Sequence, residues 1–186
     1  MDNLPRAPVL VAFGSNLDPL DNLWRGLSRL QAAVGLCAIS TVYRTAPLPD
    51  PDLPPGEPPD PEFLNGAVQL PPQEDPLALH QLLRSVEADT QRVRGRRRYA
   101  PRTLDLDLAL MGELVLHSGP LRLPDPDITR RAFVALPLAE LAPAARHPLE
   151  GCPLAEIAAR FGPAPEGLQV DWPATTRLRA LVGQGG

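Results

Sequence analysis

An α+β sandwich, in which helices pack on a mainly antiparallel sheet and a long proline-rich loop interrupts the strands, is the fold predicted for this chain of 186 residues. Three observations predict it. Two segments carry apolar residues at helical spacing behind an Asp-Pro start. Several short apolar runs have strand character, and the elements arrive in the order β-α-β, β-α-β. Two long helices can then cover one face of a small sheet, which leaves the other face free to carry a site. That order suits a ferredoxin-like sandwich, with a doubly wound α/β fold as its competitor.

The elements can be justified in turn. Val9 to Phe13 is a short apolar run that ends at Gly14-Ser15-Asn16, a buried strand closed by a turn. The first helix has Asp18 as cap, Pro19 at its first position and a stripe of Leu20, Leu23, Trp24, Leu27, Leu30 and Val34 before Gly35. Leu36 to Tyr43 and Phe63 to Leu70 are the next strands. Between them, Pro47 to Pro61 holds proline too densely for a regular element, so it forms a long loop of the kind that serves as a lid or binding loop. Asp75-Pro76 starts a second helix with Leu79, Leu82, Leu83 and Val86 on one face and Glu87 near its end. A strand from Leu104 to Met111 follows, Gly112 turns the chain, and Leu114 to Leu116 pairs back as a hairpin. Pro124-Asp125-Pro126-Asp127 leads into a helix near Thr129 to Leu136, and Leu154 to Phe161 forms a last short helix. Residues 1–162 read as a single domain and 163–186 as a C-terminal extension, with Gly183 to Gly186 expected to be disordered.

Composition excludes several function classes. The formal net charge is -4, so a cluster of arginines is a local feature of an acidic protein and not part of a generally basic surface. All 18 basic residues are arginine, which removes lysine Schiff bases and the P-loop lysine as sources of chemistry. Cys37 and Cys152 fit neither a disulfide framework nor a zinc site. His80, His117 and His147 are widely spaced and show no partner pattern for catalysis or metal binding. With no signal-like leader and no spanning segment, the expected protein is soluble and cytoplasmic, without a membrane partner. Its acidic balance argues against a nucleic-acid partner, and a monomer is expected.

The chemistry concentrates between Arg92 and Asp107. Six arginines, Arg92, Arg94, Arg96, Arg97, Arg98 and Arg102, precede the alternating segment Leu104-Asp105-Leu106-Asp107-Leu108. In a strand, Leu104, Leu106, Leu108 and Leu110 would face a core while Asp105 and Asp107 share the other face, their roots about 6–7 Å apart. Carboxylates so placed can bracket a divalent metal or a metal pair, and guanidinium groups match phosphate oxygens. The competing readings are a solvated edge strand for the acids and a solvated loop or unspecific nucleic-acid patch for the arginines. Few aromatic residues accompany the arginines, which gives an RNA-stacking platform little support. By sequence physics alone Phe63-Leu64-Asn65 is core plus a turn amide.

Taken together, these segments resemble 6-hydroxymethyl-7,8-dihydropterin pyrophosphokinases. The resemblance runs in order through Gly14-Ser15-Asn16-Leu17, Tyr43-Arg44-Thr45, Phe63-Leu64-Asn65, Glu87, Arg92-Val93-Arg94, Pro101-Arg102-Thr103-Leu104-Asp105-Leu106-Asp107 and Arg131-Ala132-Phe133. It implies a ferredoxin-like fold and the transfer of pyrophosphate from ATP to a pterin alcohol in folate biosynthesis, with AMP released. It further implies that Asp105 and Asp107 hold two Mg ions and that Arg92 and Arg102 bind and stabilise the polyphosphate. Glu87, Arg94, Tyr99, Leu108 and Arg131 fall on the nucleotide side. The pterin is expected between Phe63 and Phe133, with Asn65, Asp105 and the backbone around Thr45, Ala46 and Leu48 reading its polar edge.

This chain departs from that pattern at particular positions. Tyr99 stands where the family commonly has tryptophan, Ala100 replaces a glycine, and Asp125 replaces a histidine, an anion in place of a donor toward phosphates. Arg84 and Arg122 occupy positions where other residue types are common. Two alternatives share the same residues: another Mg-dependent nucleotidyltransferase or phosphodiesterase, which also uses paired acids and arginines, and an RNA-binding module built on the arginine loop.

Overall fold

The computed structural model describes residues 7–48, 60–90, 103–163 and 165–182. The proline-rich stretch from 49 to 59 and the arginine-rich stretch from 91 to 102 lie outside the described residues. Within them, strand β1 (Val9–Ser15), helix α1 (Pro19–Val34), β2 (Ala38–Ile39), β3 (Tyr43–Thr45), β4 (Phe63–Leu70), α2 (Pro76–Asp89) and β5 (Asp105–Met111) form the first part. A hairpin of β6 (Leu116–Ser118) and β7 (Leu121–Leu123) follows, then a 3-10 turn (Pro126–Thr129), α3 (Ala132–Leu141), α4 (Leu154–Ala159), β8 (Leu168–Val170) and α5 (Trp172–Arg179). The main sheet runs β5-β1-β4-β3-β8, with β2 also on β4, and every pairing in it is antiparallel.

Each start and stop signal can be compared with its geometry. Asp75 caps α2 as expected, its carboxylate accepting from the N–H groups of Leu77 and Ala78 at 2.8 and 3.0 Å. Gly35 ends α1 at φ 80°, where a residue without Cβ is favoured. Asp18 precedes α1, but in a left-handed conformation (φ 41°) with no side-chain cap bond. The expected strand from Leu36 to Tyr43 is broken into β2 and β3. Ser40 interrupts it: its N–H still donates to the Ala67 carbonyl, but its hydroxyl accepts from Ala67 N–H and donates to the Thr41 carbonyl, so a side chain takes the place of one ladder acceptor.

Helices pack on both faces of the sheet. Leu23, Leu27 and Leu30 of α1, Leu79, Leu83 and Val86 of α2, and Leu178 of α5 bury one face against Val9, Val11, Leu64, Val68, Leu106 and Leu108. The second face is not left open as the two-helix reading expects. Val134, Ala135 and Leu138 of α3 and Leu154 and Ile157 of α4 cover part of it, packing on Leu10, Ala67, Ala109 and Leu110. The alternation expected for β5 therefore ends early. Leu10 faces Leu110 and Val11 faces Leu108, so Ala109 is an extra residue that turns Leu110 to the second face. The Ala109 carbonyl accepts instead from Asp125 N–H at 2.9 Å, which ties the turn after β7 to the sheet edge.

Two further sequence readings are corrected. The helix expected near Thr129 to Leu136 is a 3-10 turn followed by α3, which begins at Ala132 and continues past Pro137 to Leu141. The hairpin expected at Leu114 to Leu116 forms two residues later, between β6 and β7. Beyond residue 162, β8 adds a strand to β3, and Ala174, Leu178 and Leu181 join the larger core.

Candidate active site

Strand register assembles a site on the part of the second face that α3 leaves open. Gly14 of β1 pairs with Asp105 on one side and Asn65 on the other, so these residues lie in one row across three strands. In the next row Ala12 lies between Asp107 and Ala67. Directly paired residues project to the same face. Glycine and alanine at the centre of both rows therefore leave a floor with polar side chains at its rims. An ideal Cβ built on Gly14 would stand 2.9 Å from Asn65 Oδ1, so the floor is closely fitted there.

The resulting cavity has a volume of about 340 Å³ and is bounded by Thr45, Ala46, Leu48, Phe63, Asn65, Asp105, Asp107, Arg131 and Phe133. Those are the predicted pterin-side residues, the acidic pair and one nucleotide-side arginine. Ala12, Phe13, Gly14, Asp125, Asp127, Arg130 and Val134 complete the lining, beyond the residues that sequence assigns to it. The small alternating residues Ala12 and Gly14 are a usable signal, since a strand that carries no bulk on one face leaves room above it. Asn65 is fixed by donation from Nδ2 to Thr45 Oγ1 at 2.8 Å, which leaves its carbonyl oxygen toward Gly14. The turn Gly14-Ser15-Asn16 does more than reverse the chain. Ser15 Oγ donates to the Thr103 carbonyl at 2.6 Å and Asn16 Nδ2 to the Pro61 carbonyl at 3.1 Å, which fixes the approaches to β5 and β4.

Negative charge dominates one wall. Burial and then the charge of Asp105 push the Asp107 carboxyl from 3.8 up to about 7, against the pull of Arg84. Its side chain keeps 44% of its surface open to the cavity, so the penalty comes from a deep concave setting and not from full enclosure. The Asp125 carboxyl is also raised, first by burial and with a contribution from Asp105. Asp125 has a local structural duty, since it accepts from Asp127 N–H at 2.8 Å and so caps the 3-10 turn. Arg131 supplies the opposite sign at this cavity, and its Nε is buried with no hydrogen-bond partner among the described residues.

Two predicted nucleotide-side residues, Glu87 and Leu108, are buried. Glu87 is buried, its carboxylate accepting from Leu106 N–H at 2.8 Å and pairing with Arg84 at 2.7 Å, so it braces the edge of β5. Leu108 is 3% exposed and packs in the core on the opposite face from Asp107, which leaves only its main chain for any nucleotide contact. Arg92, Arg94, Tyr99 and Arg102 lie outside the described residues.

A concave site lined by carboxylates, two phenyl rings and a fixed amide marks a small-molecule enzyme, not a flat docking surface. The family model for 7,8-dihydro-6-hydroxymethylpterin-pyrophosphokinase (HPPK) matches residues 10–143, and the chain belongs to this family. The 2-amino-4-hydroxy-6-hydroxymethyldihydropteridine pyrophosphokinase of Pseudomonas aeruginosa is 38% identical over 154 residues, covering 81% of this chain and 90% of the relative. The protein of the same name from Haemophilus influenzae is 33% identical over 135 residues, 71% of this chain and 79% of the relative. Among solved structures, the wild-type HPPK-DHPS of Plasmodium falciparum matches the fold with a TM-score of 0.60 at 12% identity, over 86% of this chain. The chain spans less than half the length of that protein, 46%.

Proposed function

We propose that this protein transfers pyrophosphate from ATP to the hydroxymethyl group of 6-hydroxymethyl-7,8-dihydropterin, releasing AMP, in folate biosynthesis. One observation carries the assignment of roles: the row Asp105-Gly14-Asn65 sets a carboxylate and a fixed amide on one floor, in a cavity that Phe63 and Phe133 share. A flat pterin fits between two phenyl walls, and its polar edge meets the amide of Asn65 and the backbone near Thr45, Ala46 and Leu48. The order β5-β1-β4-β3 around α1 and α2 supports the ferredoxin-like reading of the fold.

The donor set fits a hard divalent cation. Asp105 and Asp107 are alternating carboxylates on one strand face, and the penalty on ionising Asp107 beside Asp105 is what a cation there would relieve. These two residues would hold Mg2+, two ions in the reading that the resemblance implies. When bound, the metal supplies charge neutralisation for the polyphosphate.

The chain's own groups then position the reaction. The pterin hydroxyl oxygen bonds to the β-phosphorus, the bond from that phosphorus to the bridging α-phosphate oxygen breaks, AMP departs, and the hydroxyl proton passes to solvent. Phosphoryl transfer depends chiefly on in-line placement and charge stabilisation. Asn65 and the phenyl rings fix the acceptor, Arg131 meets anionic charge within the cavity, and Arg92, Arg94 and Arg102 meet the polyphosphate. Glu87 orients this wall by bracing Leu106, next in the strand to both acids. Tyr99 presents a stacking face on the nucleotide side. We assign the activity to a cytoplasmic monomer in which residues 1–162 carry the chemistry.

Incubation with Mg2+, ATP and the pterin alcohol is expected to give AMP and the pterin pyrophosphate in equal amounts. Release of inorganic pyrophosphate or of a monophosphate ester would favour the nucleotidyltransferase or phosphodiesterase reading.

A further inference from the structure

The acidic pair already has a cation beside it, carried by the chain itself. Arg84, on α2, reaches past the edge of β5 to the face that holds the two aspartates. Its Nη1 donates to both carboxylate oxygens of Glu87 at 2.8 and 2.7 Å, its Nη2 donates to Asp107 Oδ1 at 3.0 Å, and Nη1 stands 4.0 Å from Asp105 Oδ1. The Glu87 side chain is only 2% exposed and that of Arg84 27%, whereas that of Asp107 is 44% exposed. The guanidinium is therefore anchored at its buried end and can exchange partners at its open end.

We propose that Arg84 is a built-in counter-cation of the acidic pair, which must release Asp107 before a divalent metal takes it and then pairs with a polyphosphate oxygen of the arriving nucleotide. The inference rests on Asp105 and Asp107 being the metal ligands. An arginine does not shed its charge at working pH, so a metal entering between these aspartates meets a permanent positive neighbour as well as a partly occupied ligand. Free metal then binds weakly. A polyphosphate supplies enough negative charge for both cations, so nucleotide and metal strengthen each other's binding by the same factor. Arg84 thereby couples the two ligands.

Binding of Mn2+ to the metal-free protein, followed by electron paramagnetic resonance with and without a non-hydrolysable ATP analogue, tests this directly. Arg84→Gln is expected to bind free Mn2+ about tenfold more tightly than the unsubstituted protein, with the strengthening by nucleotide reduced by about the same factor. Arg84→Lys, which keeps the charge, is expected to stay near the original affinity. Because Arg84→Gln also takes the guanidinium away from Glu87, the comparison is repeated between Glu87→Gln and the double variant Arg84→Gln/Glu87→Gln. In both, the amide introduced at position 87 can still accept from Leu106 N–H, and the same gain is expected. Free-metal affinity unchanged within about twofold in both comparisons overturns the role of Arg84. Asp107→Asn is the control: loss of Mn2+ binding upholds the metal site, and retained binding removes that reading and the role of Arg84 with it.

Discussion

Replacing Asp107 by asparagine is expected to stabilise the metal-free protein while abolishing its activity. The carboxyl is pushed from 3.8 up to about 7 by burial and by the charge of Asp105, although Arg84 pulls the other way. Each pKa unit is worth about 1.4 kcal/mol, so ionising Asp107 in the folded chain costs at most about 4 kcal/mol. With 44% of the side chain open, solvent screening reduces the expected cost to roughly 1–2 kcal/mol. The folded state holds this proton more tightly than the unfolded state. The corresponding stability is fully present below pH 3.8 and is lost as pH rises through about 7. Asparagine carries no charge and lacks this dependence. Urea denaturation with excess chelator, at about pH 5 and pH 8.5, is the assay; part of the stability is already lost at pH 5, so the Asp107→Asn variant should gain roughly 1 kcal/mol on the unsubstituted protein between the two. Added Mg2+ at the higher pH should raise the midpoint of the unsubstituted protein and leave that of the variant unmoved. A stability difference that is equal at both pH values would refute the reasoning.

Three further outcomes follow from the geometry. Gly14→Ala places a Cβ 2.9 Å from Asn65 Oδ1, so KM for the pterin should rise about tenfold with KM for ATP unchanged, a split that steady-state kinetics resolves. Asp125→His removes an anion from the cavity and also the cap on Asp127 N–H, so it should cost about 1 kcal/mol in stability while ATP affinity holds or improves. A tenfold loss of ATP affinity in that variant, measured by calorimetry, contradicts this reading. Removing residues 166–186 strips Leu178 and Leu181 from the core and deprives Val42 N–H of Thr175 Oγ1, so the unfolding free energy should fall by about 4 kcal/mol or more. An unshifted denaturation midpoint would show that the C-terminal segment does not support the fold.

Where local signals are strong the sequence is readable. Asp75-Pro76 caps a helix, Gly35 ends one, and the alternation around Asp105 and Asp107 places both acids on one face. What escapes is decided by tertiary contacts. Nothing local announces that Ala109 is extra to the β1 pairing, because a bulge exists only relative to its partner strand. The break at Ser40 depends on Ala67, far along the chain. Helix α5 is a different omission: Asp171 followed by Pro173, with Ala174, Leu178 and Leu181 at helical spacing, is a readable start. In the site, the acids are found by alternation and charge and the pterin-side residues by resemblance, whereas the floor of Ala12 and Gly14 needs the register of three strands. Arg84 is visible as an unusual residue, but its reach across the sheet edge to Asp107 is not.

The stoichiometry of products in one reaction containing Mg2+, ATP and 6-hydroxymethyl-7,8-dihydropterin tests the proposed activity most directly. One AMP is expected for each pterin pyrophosphate, with no AMP when the pterin is omitted and loss of both products in Asp105→Asn and in Asp107→Asn. AMP formed without the pterin, or turnover retained in either variant, would contradict it.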